Sequence, residues 1–372
     1  MQTSIQLGRI AGIRIGINWS WLFVFALIVW TLVSGVFPSQ NPGLSKGAYL
    51  AMGFAAAVLF FCSLLLHELG HALQARREGM EIEGITLWLF GGVARFSGTF
   101  PSAGAEFRIA IAGPLVSLAL GLAFVLVAVG LGLPEQIDGV AAWLGYINLT
   151  LLVFNLLPAL PLDGGRVLRS ALWAAKGDFR FATQLAAGVS RAIAGLMIAG
   201  GLFLLIFESS FSGAWLAFVG WFLLQAAAGE ARYLAVHQAL GDLRVRDLMV
   251  SDPVTVPPGL PLGSFMDQVA WSRRYTTYPV VDDGHALGLL AFRRVAEIPR
   301  SEWDSRTVRE CMIPREEVPV LREDEAAVDA LVELQESDVS RGLVLDGERL
   351  AGLLSISDLA RALEVRLPRQ RG

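Results

Sequence analysis

The chain has 372 residues, of which 54% are hydrophobic and only 17% charged, with a formal net charge of −4 and two cysteines. The small negative charge, with no basic patch in any segment, excludes a nucleic-acid partner, and Cys62 and Cys311, one per environment, build no disulfide framework. Those environments are two: the first 230 or so residues are overwhelmingly apolar, and the rest is dense in Arg, Asp and Glu.

Taken in chain order, apolar runs too long for core helices recur at Ile15 to Phe37, Tyr49 to Leu66, Ile109 to Leu133, Val140 to Leu162, Val189 to Phe207 and Ala214 to Ala228. A bilayer core takes about 20 such residues per helix, which predicts six spans, or five if the short last run is interfacial. Trp19, Trp21 and Trp30 suit interfacial or packing positions in a first helix that is retained, because no small-residue cleavage site follows it. Basic residues flank alternate ends of the runs: Arg9 and Arg14, then Arg76 and Arg77, then Arg169, Lys176 and Arg180, then Arg232. The positive-inside rule then puts both termini of a multi-pass cell-membrane protein in the cytoplasm.

Between Tyr49 and Gln74 the only ionisable side chains are His67, Glu68 and His71. Burying such groups in lipid is costly, which makes them functional candidates. At about 100° per residue, His67 and His71 lie about 40° apart on consecutive turns of a helix, a spacing that lets both imidazoles grip one zinc ion. Glu68 is then placed as the general base of an H-E-x-x-H metalloprotease. His237 and His285 fall outside the spans, and Cys62 faces the wrong side of the helix, so the third ligand is expected to be a carboxylate from another span. Asp163 ends the stretch Asn155 to Gly165, where Pro158 and Pro161 break the fourth run. A broken backbone at membrane depth survives only beside protein or water, which places Asp163 to enter a polar cavity and leaves zinc's fourth position for water.

These two motifs together resemble the site-2 protease family of intramembrane zinc metalloproteases, and the resemblance covers the whole membrane region. It implies that His67, His71 and Asp163 hold one Zn2+ and that Glu68 is catalytic. By the same match Asn155 resembles an active-site asparagine that contacts substrate or the oxyanion. Asn148 is a further candidate for that role, with a helix-to-helix hydrogen bond as its alternative. Ile85 to Phe96 reads as two short strands around the Gly91-Gly92 turn, a membrane-associated β-hairpin. Such a hairpin either pairs with an unwound substrate by strand addition or anchors the chain at the interface. Gly113-Pro114 has only close helix packing or a kink to account for it.

The polar half repeats. Val245 to Met249 recurs as Val308 to Met312 at an offset of 63, and Gly288-Leu289-Leu290 recurs as Gly352-Leu353-Leu354 at an offset of 64. Each copy reads as strand, helix, strand, strand, helix and resembles the CBS domain, whose paired copies commonly bind adenine nucleotides. Ser355 and Asp358 match that family's Ser/Thr-x-x-Asp ribose contact, whereas the first copy has Ala291 and Arg294 there. The resemblance leaves two roles open, one adenine nucleotide per pair or a structural module that makes a homodimer.

The expected fold class is therefore a polytopic α-helical membrane protein followed by an α/β tandem CBS pair. Its expected divisions are a metalloprotease domain over 1–230, a linker over 231–243, and CBS domains over 244–301 and 302–367. The resemblance implies regulated intramembrane proteolysis of a single-span membrane protein, such as an anti-sigma or pro-sigma factor. A rival of another class is a CBS-gated transporter or channel with His67, Glu68 and His71 along an ion path. It leaves unexplained why polar residues at two separate places combine into a hydrolytic ligand set.

Overall fold

The computed structural model describes residues 5–88, 91–96, 100–208, 211–273 and 275–366. They fall into two compact units, Met1–Ala231 and Arg232–Gly372.

In the first unit, six helices among the described residues are long and apolar enough to cross a membrane: Ser20–Gln40, Lys46–Arg77, Ala103–Gly130, Glu135–Asn155, Phe179–Phe207 and Ser212–Gly229. Two of them position the site, the histidine helix (Lys46–Arg77) and the backing helix (Ala103–Gly130), together with a helix too short to span, the aspartate helix (Asp163–Lys176). The histidine helix starts where the Ser45 hydroxyl accepts the Ala48 N–H at 3.2 Å. It ends on Arg76 and Arg77, cations that suit the negative end of a helix dipole.

Two expected runs are redrawn. The first does not begin at Ile15, because Ile13–Ile17 is a strand. Its residues alternate Ile, Arg, Ile, Gly, Ile, with the isoleucines buried and Arg14 exposed, a period of two that a helix cannot use. The helix starts after Asn18, whose side chain accepts the Ser20 N–H at 3.0 Å. The fourth run likewise stops as a helix at Asn155, seven residues short of Leu162. Pro158 and Pro161 each lack the N–H a helix needs, and the chain reaches Asp163 through an irregular segment.

The expected hairpin is present and larger than expected. Strands β1 (Ile5–Ile10), β2 (Ile13–Ile17), β3 (Ile82–Trp88) and β4 (Gly91–Phe96) form one sheet in the order β1-β2-β3-β4. Trp88 pairs with Gly91, so Gly91 and Gly92 open β4 instead of forming the expected turn, and residues 89 and 90 lie outside the described residues. The sheet's core face, Ile13, Ile15 and Ile85, packs on Leu69 and Ala72 of the histidine helix. Strands β1 and β4 are its two edges among the described residues.

The second unit is built around a sheet of β5 (Thr277–Asp282), β6 (His285–Ala291), β7 (Ile313–Pro314), β8 (Val320–Arg322), β9 (Arg341–Asp346) and β10 (Arg349–Ser355), ordered β5-β6-β10-β9-β8 with β7 beside β6. The repeat is visible as two equivalent hairpins, β5–β6 and β9–β10, meeting at Arg349 and His285. Each copy adds one parallel contact, Val256 to Val280 in the first and β8 to β9 in the second.

Candidate metal centre

His67 and His71 project from one face of the histidine helix, are 4% and 5% exposed, and bring their Nε2 atoms to 3.1 Å. Asp163 is the first residue of the aspartate helix. Its Oδ2 lies 3.2 Å from His67 Nε2 and its Oδ1 3.3 Å from His71 Nε2. What brings it there is the broken segment before it. Gly164 and Gly165 press the first turn of the aspartate helix onto the backbone of Leu156, Leu157 and Ala159, where any Cβ would overlap it. The Leu160 N–H is in turn held by the Ser190 hydroxyl at 2.7 Å.

Both imidazoles are held on their far side by the backing helix. His71 Nδ1 donates to the Ile109 carbonyl at 2.7 Å, and His67 Nδ1 is bonded to Ser117 Oγ at 2.8 Å. A carbonyl only accepts, so Nδ1 of His71 carries a proton, and in the neutral ring Nε2 is the nitrogen left with a lone pair to offer inward. Between the two, Gly113 faces the converging Nε2 atoms so closely that a Cβ there would overlap both rings.

The donor set fits a small cation. His67, His71 and Asp163 each offer a ligand atom, all within 4.8 Å of one another. A tetrahedral zinc with bonds of about 2.0 Å has ligand-to-ligand edges of about 3.3 Å. The two Nε2 atoms at 3.1 Å, and the carboxylate's nearest approach to each ring, 3.2 Å through Oδ2 and 3.3 Å through Oδ1, are close to that length.

The remaining candidates are distributed as follows. Glu68 is half-buried, and its side chain lies against Gly92 of β4, close enough that a Cβ there would overlap it. Asn155 is half-buried at the end of its helix. Asn148 is fully buried, and its amide donates to the Leu144 carbonyl at 2.8 Å and reaches Ser63 of the histidine helix at 3.4 Å. That is the helix-to-helix bond weighed as its alternative. In the second unit, Ser355 and Asp358 bond each other: the Ser355 hydroxyl and N–H reach Asp358 Oδ2 at 2.5 and 3.1 Å, and the Asp358 N–H reaches Ser355 Oγ at 3.3 Å. This reciprocal pair starts the helix Ile356–Arg366. The large cleft of that unit, about 1490 Å³, lies instead between the two copies, with Ala291 and Arg294 of the first and Arg315 and Arg341 of the second in its wall.

Sequence reasoning missed the backing residues. Glu106, Ile109, Gly113 and Ser117 recur every three or four positions, one stripe of the backing helix, and the polar ends of that stripe were the available signal.

Comparison with known proteins agrees with this architecture. The profile of peptidase family M50 matches residues 55–139 and 132–199, and that of the CBS domain matches 245–300 and 308–365. The Mycobacterium tuberculosis (strain H37Rv) protein Rip3, named as a zinc metalloprotease, is 38% identical over 370 residues, which is 98% of this chain and 94% of that one. Zinc metalloprotease MJ0392 of Methanocaldococcus jannaschii is 31% identical over 365 residues, 98% of this chain and 97% of that one. The solved site-2 protease from Methanocaldococcus jannaschii, 31% identical, covers 61% of this chain and 94% of its own, with a TM-score of 0.43. The chain belongs to peptidase family M50 and is a multi-pass, site-2-protease-type zinc metalloendopeptidase with a C-terminal CBS pair.

Removing the Ser117 hydroxyl releases His67, and such outer contacts are worth about 10- to 100-fold in metal affinity. Ser117→Ala should therefore weaken zinc binding by that factor, and Gly113→Ala, which fills the convergence point, should abolish it. Zinc per chain at limiting metal, measured by mass spectrometry on the purified protein, checks both.

Proposed function

We propose that His67, His71 and Asp163 hold one zinc ion and that Glu68 is the general base of a protease that cuts single-span membrane proteins within the bilayer. The observation that carries this reading is the convergence of two imidazoles and a carboxylate, all buried and each offering a ligand atom, inside a unit of membrane-length helices. When bound, zinc supplies a Lewis acid that polarises the scissile carbonyl and acidifies water at neutral pH. Glu68, next to the first ligand on the same helix, takes the proton of the attacking water and returns it to the leaving nitrogen. Strand β4 supports a way to present substrate: an unwound segment added to that edge would run beside Glu68. Asn155, at the mouth of the broken segment, is the candidate contact for substrate or oxyanion, ahead of Asn148.

With Arg76 and Arg77 ending the histidine helix, the positive-inside rule supports cytoplasmic termini and a site nearer the cytoplasmic face. The substrate class follows by analogy: a membrane-tethered regulator such as an anti-sigma or pro-sigma factor, released by regulated proteolysis. The CBS pair is proposed to control cutting by binding an adenine nucleotide, and to join two copies in a homodimer. Control requires that nucleotide prefer one arrangement of the pair over another.

Glu68→Gln should keep one zinc per chain and lose cleavage of a single-span reporter substrate by at least about 100-fold. Wild-type turnover by that variant, at full zinc, would remove Glu68 from the mechanism. For the CBS pair, calorimetry on the full-length protein with ATP should find one site per chain, lost in Asp358→Ala and kept in Arg294→Ala. The reverse pattern would move the nucleotide to the cleft between the copies.

A further inference from the structure

A second polar cluster lies in the membrane unit outside the metal centre. Arg169 of the aspartate helix and Glu106 of the backing helix both have side chains that are 0% exposed, and Arg169 Nε donates to Glu106 Oε1 at 2.7 Å. The guanidinium is closed in by aromatic faces, with Phe179 at 5.2 Å and Phe100 at 5.9 Å. A fully buried pair is poor evidence for stability, because an apolar pair of similar volume often holds a fold as well or better. Its value lies in geometry, since a guanidinium fork fixes direction as well as distance.

The direction fixed here is that of Asp163. Arg169 lies six residues along the same helix, about 9 Å at 1.5 Å per residue. Glu106 lies three residues before Ile109, whose carbonyl holds His71. The contacts close a ring: Asp163 meets His71, His71 is held by Ile109, Ile109 shares a helix with Glu106, Glu106 grips Arg169, and Arg169 shares a helix with Asp163. The last helical turn before Asp163 is absent, because the chain arrives through the broken segment. Arg169, midway along the aspartate helix, therefore supplies the second point that a rigid rod needs.

We infer that the Glu106–Arg169 pair is a positioning device that sets the angle of the aspartate helix and so delivers Asp163 to the two histidines. The inference rests on the reading of Asp163 as third ligand.

Its test uses the purified full-length protein and cobalt(II) or zinc as the probe, with affinity read by competition against a chromophoric chelator. The double variant Glu106→Leu/Arg169→Met removes both charges together and keeps volume. It should unfold within a few degrees of wild type yet bind metal about tenfold more weakly, with an altered cobalt(II) ligand-field spectrum. Arg169→Lys, which keeps the charge but loses the fork, should fold and fall between the two. Wild-type affinity and spectrum in both variants would overturn the inference, as would an affinity loss that merely tracks the loss of folded protein. Asp163→Ala run in parallel separates the two claims. If it binds metal normally, the ligand reading itself fails and takes this one with it; if it loses metal while the clamp variants do not, only the clamp is wrong.

Discussion

The membrane unit holds a convergence that apolar surroundings make unfavourable: two imidazole nitrogens and a carboxylate, with the carboxylate oxygens 3.2 and 3.3 Å from the rings. A buried polar group without a partner costs several kcal/mol, and an unpaired carboxylate costs more. The fold therefore needs either a cation at that point or a scaffold stiff enough to hold the donors together before one arrives. The scaffold is visible in every direction from the site.

Most of it is one stripe of one helix. From Glu106 to Ser117 the backing helix supplies, in successive turns, a grip on the aspartate helix, a carbonyl for one histidine, a clearance at Gly113 and a hydroxyl for the other histidine. Pro114 sits inside this stretch, where it removes a backbone donor. On the opposite side of Glu68, a glycine of β4 performs a similar service, because only a residue without Cβ leaves room for the carboxylate arm. The ligands thus come from two helices and their orientation from a third, which is why no short segment contains the site.

That distribution explains what could be read in the sequence. His67, Glu68 and His71 were legible because ionisable groups within an apolar run have few structural explanations. Asp163 was legible because two prolines mark a broken helix. The span limits were less legible at both places where hydrophobicity and periodicity disagree: Ile13–Ile17 counts as apolar in a long window but alternates as a strand, and Leu156 to Leu162 is apolar yet cannot stay helical. The outer contacts were invisible for a different reason. A main-chain carbonyl has no letter, and a glycine or serine in a membrane helix reads equally well as packing. In the polar half the repeat fixed the module, but Ser355 and Asp358 turn out to bond each other while the open cleft lies between the copies and is lined by neither of them. Matching a motif located the residues and left their partners undetermined.

The central claim concerns the identity of three ligands, and zinc K-edge X-ray absorption on the purified, zinc-loaded protein tests it most directly. The account predicts two imidazole nitrogens and oxygen ligands at about 2.0–2.2 Å, with one oxygen shell contribution lost in Asp163→Ala and one imidazole lost in His71→Ala. A sulfur ligand at about 2.3 Å, or an absorption spectrum unchanged by either substitution, would contradict it.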